Sequence, residues 1–221
     1  MTTVAITGHR PNRILIRDKR LTRRLREVLK EVRRATRAAR AGGDPPRAIS
    51  ALAEGADRMF AAAALDLGFS LDVLLPFARA DYETTFGDES TTCGYRALLA
   101  EASSVTELPG SLADTKAAYE AVGRATVDGA DLLVAVWDGK PSAGRGGTPE
   151  IVEYAISRAI PVVWIAAGQD RPPLLLSLAA DTRSARFVLG STPVRSVPLE
   201  PHAVARLTTS ILTLNSTVEA P

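Results

Sequence analysis

The chain has one cysteine, Cys93, and two histidines, His9 and His202, among 221 residues. A single cysteine excludes an intramolecular disulfide and fits a reducing compartment, so a cytoplasmic location is expected. One cysteine with two distant histidines gives no zinc-like spacing, so neither a metal nor a cofactor is expected. No apolar run is long enough to span a membrane, and the N-terminus shows no basic-then-apolar signal. The net charge is only +2, which gives no global nucleic-acid signal. Two loop signatures are also missing. No G-x-G-x-x-G follows the first strand, which disfavours dinucleotide oxidoreductase chemistry, and no G-K-[ST] marks a Walker A loop. No long linker precedes residue 215, so one domain over 1–215 is expected, with a frayed tail at 216–221.

What is present alternates between apolar runs and helical patterns. Residues 3–7 form a β-rich run, ended by the turn Gly8-His9-Arg10-Pro11-Asn12. Residues 17–41 read as a long helix, with Leu21, Leu25, Val28, Leu29, Val32, Ala35 and Ala39 at helical spacing on one face. Its other face is basic: 11 Lys/Arg against 3 Asp/Glu between Arg17 and Arg40, leaving 16 against 22 elsewhere. No aromatic platform interleaves these cations, so a solvated face is favoured over a single-strand DNA surface. The opposite charge of the remaining chain suits a homo-oligomer in which this helix meets an acidic patch on a second copy.

Further strands are expected at 47–51, 71–75, 104–108, 132–137 and 161–166, and one or two between 185 and 198. Helices are expected at 55–67, in two pieces within 79–102 broken by Gly87 and Gly94, and at 112–126 and 149–158. Others are expected near Leu174 and after Pro201. Strands alternating with helices predict an α/β fold, a Rossmann-like three-layer α/β/α sandwich with a mainly parallel sheet and right-handed crossovers. Such sheets bind ligands beyond the carboxyl ends of their strands, where the strand order switches.

One stretch carries the chemistry. The buried run from Leu132 to Trp137 leads into Asp138 and Gly139, then Gly144, Arg145, Gly146 and Gly147, and then Thr148-Pro149-Glu150. Thr148 is a good N-cap, Pro149 fits the first helical turn, and Glu150 complements the helix dipole. A helix start presents free N–H groups and partial positive charge, which suits a phosphate. The loop therefore reads as a phosphate cradle built from the N–H groups of Gly146, Gly147 and Thr148, or else as a flexible connection. Arg145 either adds a bidentate phosphate contact or is a solvated loop residue.

With I-T-G-H-R at 6–10, S-A-L-A-E-G-A-D at 50–57, L-P-F at 75–77 and A-D-L-L-V-A-V-W-D-G at 130–139, this G-G-T-P-E stretch resembles the SLOG/Lonely Guy/DprA-like group of Rossmann-like proteins. The resemblance covers roughly the first three-quarters of the chain. It implies a nucleotide or nucleotide-derived ligand at the strand ends: a nucleoside phosphate, a cyclic nucleotide or an ADP-ribose type. Some members of the group hydrolyse nucleoside monophosphates, others only sense a ligand, and a role in nucleotide signalling or defence follows by analogy. The group's hydrolases carry P-G-G-x-G-T-x-x-E. This chain has A-G-R-G-G-T-P-E, and Ile151 stands three residues after Thr148. Binding is therefore expected first. Cleavage of the N-glycosidic bond of a nucleoside 5′-monophosphate by Glu150 or Glu54 is the alternative, and DprA-like DNA binding is a weaker one.

The remaining candidates have two readings each. Thr7, Gly8, His9 and Arg10 contact a phosphate edge or a ribose hydroxyl, or His9 is a structural hydrogen-bonder. Ser50, Gly55 and Asp57 contact the ligand, or Glu54 and Asp57 cap the following helix. Pro76 ends the third strand, and Phe77 or Tyr82 stacks on a base or packs in the core. Asp138 accepts from a ribose hydroxyl or starts a turn with Gly139.

Overall fold

The computed structural model describes residues 2–14, 18–39, 43–141, 146–180, 184–200 and 202–218, with side chains as far as 213. In chain order the elements are β1 (Thr3–Gly8), α1 (Lys19–Ala39), β2 (Arg47–Ser50), α2 (Ala56–Asp66), β3 (Ser70–Leu75), α3 (Arg79–Glu83), α4 (Glu89–Ala100) and β4 (Ser104–Glu107). A 3₁₀ turn (Leu112–Asp114) leads into α5 (Thr115–Asp128). Then come β5 (Leu132–Trp137), α6 (Thr148–Ser157), β6 (Val162–Ala166), β7 (Leu174–Leu178), β8 (Phe187–Leu189), β9 (Thr192–Pro198) and α7 (Ala203–Val218).

Among the described residues nine strands form one sheet in the order β4-β3-β2-β1-β5-β6-β7-β9-β8. Strands β1 to β6 run parallel, and β7, β9 and β8 add an antiparallel flank. The chain moves outward from β1 to β4 and then returns to lay β5 on the other side of β1. The strand order therefore switches between β1 and β5, and a crevice is expected beyond their carboxyl ends.

The period-2 alternation of the central strands divides the core between two faces. Val4, Ile6, Val134 and Val136 pack with the apolar face of α1 and with α2 on one side. Ala5, Leu133, Ala135 and Trp137 pack with α6 on the other. The model is thus an α/β fold with a mainly parallel sheet covered on both faces. Helix α1 buries Leu21, Leu25, Val28, Leu29 and Val32, and much of its basic face is ion-paired. Arg24 and Arg20 reach Asp170, Arg26 reaches Asp66, and Arg23 reaches Glu27. Toward the β4 edge, buried Asp72 accepts from Arg47 Nε at 2.6 Å and from Ser104 Oγ at 2.6 Å, so one carboxylate ties β2, β3 and β4. Such burial is tolerated because the charge is paired. Among the described residues no helix is long and apolar enough to cross a membrane.

Three local expectations are corrected. The segment at Leu174 is strand β7 rather than a helix. Leucine favours helices, but pairing to both β6 and β9 overrides that weak local preference. Gly94 lies inside α4 instead of breaking it. An added Cβ there would meet nothing within 4 Å, so its cost is only the propensity deficit of about 1 kcal/mol. Helix α6 takes Gly147 as its N-cap rather than Thr148, which is already helical. At the C-terminus α7 continues to Val218, and 219–221 lie outside the described residues.

Candidate functional site

The end of β1 and the loops that follow β1, β2 and β5 enclose a cleft of about 610 Å³ at the switch point. That volume lies within the roughly 300–1,000 Å³ usual for small-molecule sites. Thr7, Gly8, His9 and Arg10 leave β1 along one side. Asp57 enters from the first turn of α2, and Gly146, Gly147 and Thr148 arrive at the start of α6. Three motifs far apart in the chain thus meet around one space.

The turn after β1 is held by its own backbone. His9 N–H donates to Val136 O at 3.0 Å, and His9 O accepts from Ala56 N–H at 3.2 Å, at the start of α2. The imidazole is 5% exposed, and its Nε2 lies 3.0 Å from Asp138 Oδ1 and 3.2 Å from the Asp138 amide nitrogen. One ring nitrogen cannot donate to the first and accept from the second at once. Asp138 therefore meets Nε2 through its amide or through its carboxylate, according to the ring tautomer. Burial alone would raise the Asp138 carboxyl. The His9 hydrogen bond, the Lys140 N–H and Arg13 outweigh it and hold the group below the usual carboxylate range. His9 lines the cleft, and its side chain clamps β1 to β5.

Arg10 follows His9 in the same turn. Its guanidinium lies 5.0 Å from the centroid of the Tyr119 ring, a cation–π distance, and it forms no carboxylate ion pair among the described residues. Burial opposes its charge, while Tyr119, Tyr82 and Asp57 favour it, and the net effect raises its pKa. Asp57 is 6% exposed. Burial pushes its carboxyl up to about 7, against the Ala53 amide, Arg10, the Ala51 amide and Arg58. Burial likewise pushes the Tyr82 phenol up, so it stands in the cleft as a neutral group.

At the start of α6, Gly146 N–H is taken by the protein itself: Glu150 Oε2 accepts from it at 2.6 Å. The N–H groups of Gly147 and Thr148 have no acceptor among the described residues. Gly147 and Thr148 line the cleft, as does Arg10. Gly144 and Arg145 lie outside the described residues.

No protein-family model matches this chain, and no curated protein sequence matches it. Solved structures do. DNA processing protein A (DprA) from Streptococcus pneumoniae aligns with a TM-score of 0.50 at 16% identity, over 77% of this chain and 52% of that one. The fold resembles that of this DprA protein. This chain spans about half the length of that DprA protein. DprA from Helicobacter pylori, described for a single-stranded DNA binding mode, gives a TM-score of 0.47 at 13% identity, over 77% of this chain and 67% of that one. TM1055 gives 0.43 at 13% identity, over 73% and 72%. At 16% identity the match to the Streptococcus pneumoniae protein carries the architecture alone and leaves function to the site.

In this DprA-like frame several sequence candidates sit away from the cleft. Ser50 is fully buried, and its Oγ accepts from Leu52 N–H at 3.1 Å and donates to Asp57 O at 3.3 Å. Gly55 makes its close approach to the β1 turn rather than to open space. A Cβ there would lie 2.6 Å from His9 O. Phe77 is fully buried, edge-on to Tyr82 at 5.6 Å, so it packs in the core. Pro76 leads into that cluster, and its carbonyl lies against Gly110. Asp138 faces His9 and Arg13 as described. Glu54 is outside the cleft lining, as is Glu150, whose carboxylate is bound at Gly146. Glu153, one turn on, accepts from Ser191 N–H at 2.9 Å and Thr192 Oγ1 at 3.2 Å, and so fastens β9 to α6.

The cleft has a wall that motif reading missed. Helix α5 contributes Lys116, Tyr119, Val122, Gly123 and Thr126. Their spacing marks one helical face, but it is a face of mixed polarity in a segment without a motif. Only the position of α5 beside β1 and α6 makes it part of the site.

Proposed function

We propose that this chain binds a nucleotide or nucleotide-derived ligand beyond the carboxyl ends of β1 and β5. The phosphate lies against the N–H groups of Gly147 and Thr148 and the guanidinium of Arg10. The α5 wall, with Tyr119 and Val122, offers partly apolar surface for the remainder of the ligand. The observation that carries this reading is the meeting, in one 610 Å³ cleft, of the β1 turn, the first turn of α2 and the glycine-rich start of α6. A sensing role in nucleotide signalling extends the same reading by analogy with the SLOG group. The phosphoribohydrolase alternative has less support, because neither Glu54 nor Glu150 lines the cleft.

Calorimetry with a panel of nucleoside mono- and diphosphates, cyclic nucleotides, ADP-ribose and a short single-stranded DNA tests the proposal. At least one mononucleotide-type ligand is expected to bind. Arg10→Ala is expected to weaken it about 10- to 100-fold, as loss of a charged hydrogen-bonding group predicts. Silence across the panel would count against the proposal. Binding that is indifferent to Arg10→Ala would move the ligand out of this cleft, and binding of DNA alone would favour the nucleic-acid reading.

A further inference from the structure

Asp57 is the one carboxylate that lines the cleft among the described residues, and it shares that lining with Arg10, Arg13 and Lys116. It is 6% exposed, so its charge has little water to lean on. The groups facing it come from four elements. Arg10 follows β1, Arg58 is its neighbour on α2, Tyr82 projects from α3, and Tyr119 on α5 acts through Arg10. The amides of Ala51 and Ala53 hydrogen-bond to it. Nothing in the phosphate cradle uses this buried acid, which lines the same cleft.

We propose that Asp57 makes ligand binding proton-linked: the cleft takes up one proton on this carboxyl together with the phosphate. The inference rests on the nucleotide reading above. A neutral Asp57 removes a negative charge from a cavity that must receive another, and its O–H can donate to a phosphoryl oxygen. An ionised Asp57 instead offsets Arg10 and repels the ligand. Burial already brings the free carboxyl to about 7, and an arriving anion raises it further. Just above neutral pH the empty cleft is therefore ionised at Asp57 and the filled cleft is protonated there. The proton comes from solvent and leaves with the ligand, and no covalent bond changes.

Titrations of adenosine 5′-monophosphate and of inorganic phosphate between pH 7.5 and 8.5 test this. In that window adenosine 5′-monophosphate is already a dianion, since its second ionisation lies near 6. Affinity is expected to fall about tenfold per pH unit in the wild type. Calorimetry in two buffers of different ionisation enthalpy is expected to show uptake approaching one proton per ligand. Asp57→Asn is expected to flatten both readouts, which assigns the proton to Asp57. The wild-type slope and proton uptake stand by themselves if Asp57→Asn does not fold. Binding with a flat wild-type profile, or an unchanged slope in Asp57→Asn, overturns the inference while leaving the nucleotide reading intact. No binding of either probe in wild type or variant at any pH overturns the inference, and the nucleotide reading falls with it only if the wider panel is silent too.

Discussion

Gly55→Ala is expected to destabilise the protein by about 3–5 kcal/mol, combining backbone strain with overpacking. Gly55 has φ +97° and ψ −122°, a conformation that side chains with a Cβ resist. The added methyl would also stand 2.6 Å from His9 O and 3.1 Å from Arg10 Cα. Neither neighbour is the end of a flexible side chain. His9 O is fixed by the Ala56 N–H, and His9 N–H by Val136 O, so the turn cannot retreat without breaking the clamp between β1 and β5. The loss is expected to appear in urea unfolding as a lower midpoint with an unchanged slope. Gly94→Ala in α4 is the contrasting control: nothing lies within 4 Å, and a gain of up to about 1 kcal/mol is expected from helix propensity. Equal midpoints for Gly55→Ala and wild type would mean that the β1 turn does not press on α2 as described.

The second large effect is a dependence of stability on pH through Asp57. In the folded chain this carboxyl keeps its proton up to about 7, whereas an unfolded aspartate loses it near 3.8. Between those values the native state holds more protons than the unfolded state, so raising the pH destabilises the fold. The contribution is fully present below about 4, declines across the window, and is lost above about 7. The difference in pKa corresponds to an upper bound of about 4 kcal/mol. Asp57→Asn has no such term. The unfolding free energy of Asp57→Asn relative to wild type is therefore expected to rise by several kcal/mol between pH 4 and pH 8 in phosphate-free buffer. For a chain of this size each kcal/mol moves the melting temperature by about 2–4 °C, so the relative shift is on the order of 10 °C. A constant offset between the two proteins across that range would show that Asp57 titrates as an ordinary surface aspartate.

The alternation of strands and helices was legible because the central strands are nearly continuous apolar runs and α1 is strongly amphipathic. Val134 and Ala135 announce a strand covered on both faces, and Leu25, Leu29 and Val32 announce a helix with one buried side. The segment at Leu174 was opaque because three consecutive leucines satisfy either periodicity, and only pairing with β6 and β9 decides between them. In the site, glycine spacing located the loops without saying what each glycine is for. Gly55 makes room for the protein's own turn. Gly8 does the same for Ala56, whose Cβ would lie 2.5 Å from an added methyl. Glu150 reads as a helix-dipole partner and turns out to hold the amide of Gly146, a long-range choice among acceptors that spacing does not encode. Tyr119 and Lys116 left no motif, because their place in the cleft follows from where the sheet puts α5.

The central claim is that the amides at the start of α6 and the guanidinium of Arg10 together hold a phosphate-bearing ligand. Mass spectrometry of the small molecules released on denaturing purified protein tests it most directly. A phosphorylated nucleoside or its derivative is expected from the wild type, in amounts that fall sharply in Arg10→Ala prepared in parallel. Release of no phosphorylated compound, or of equal amounts from both proteins, would contradict it.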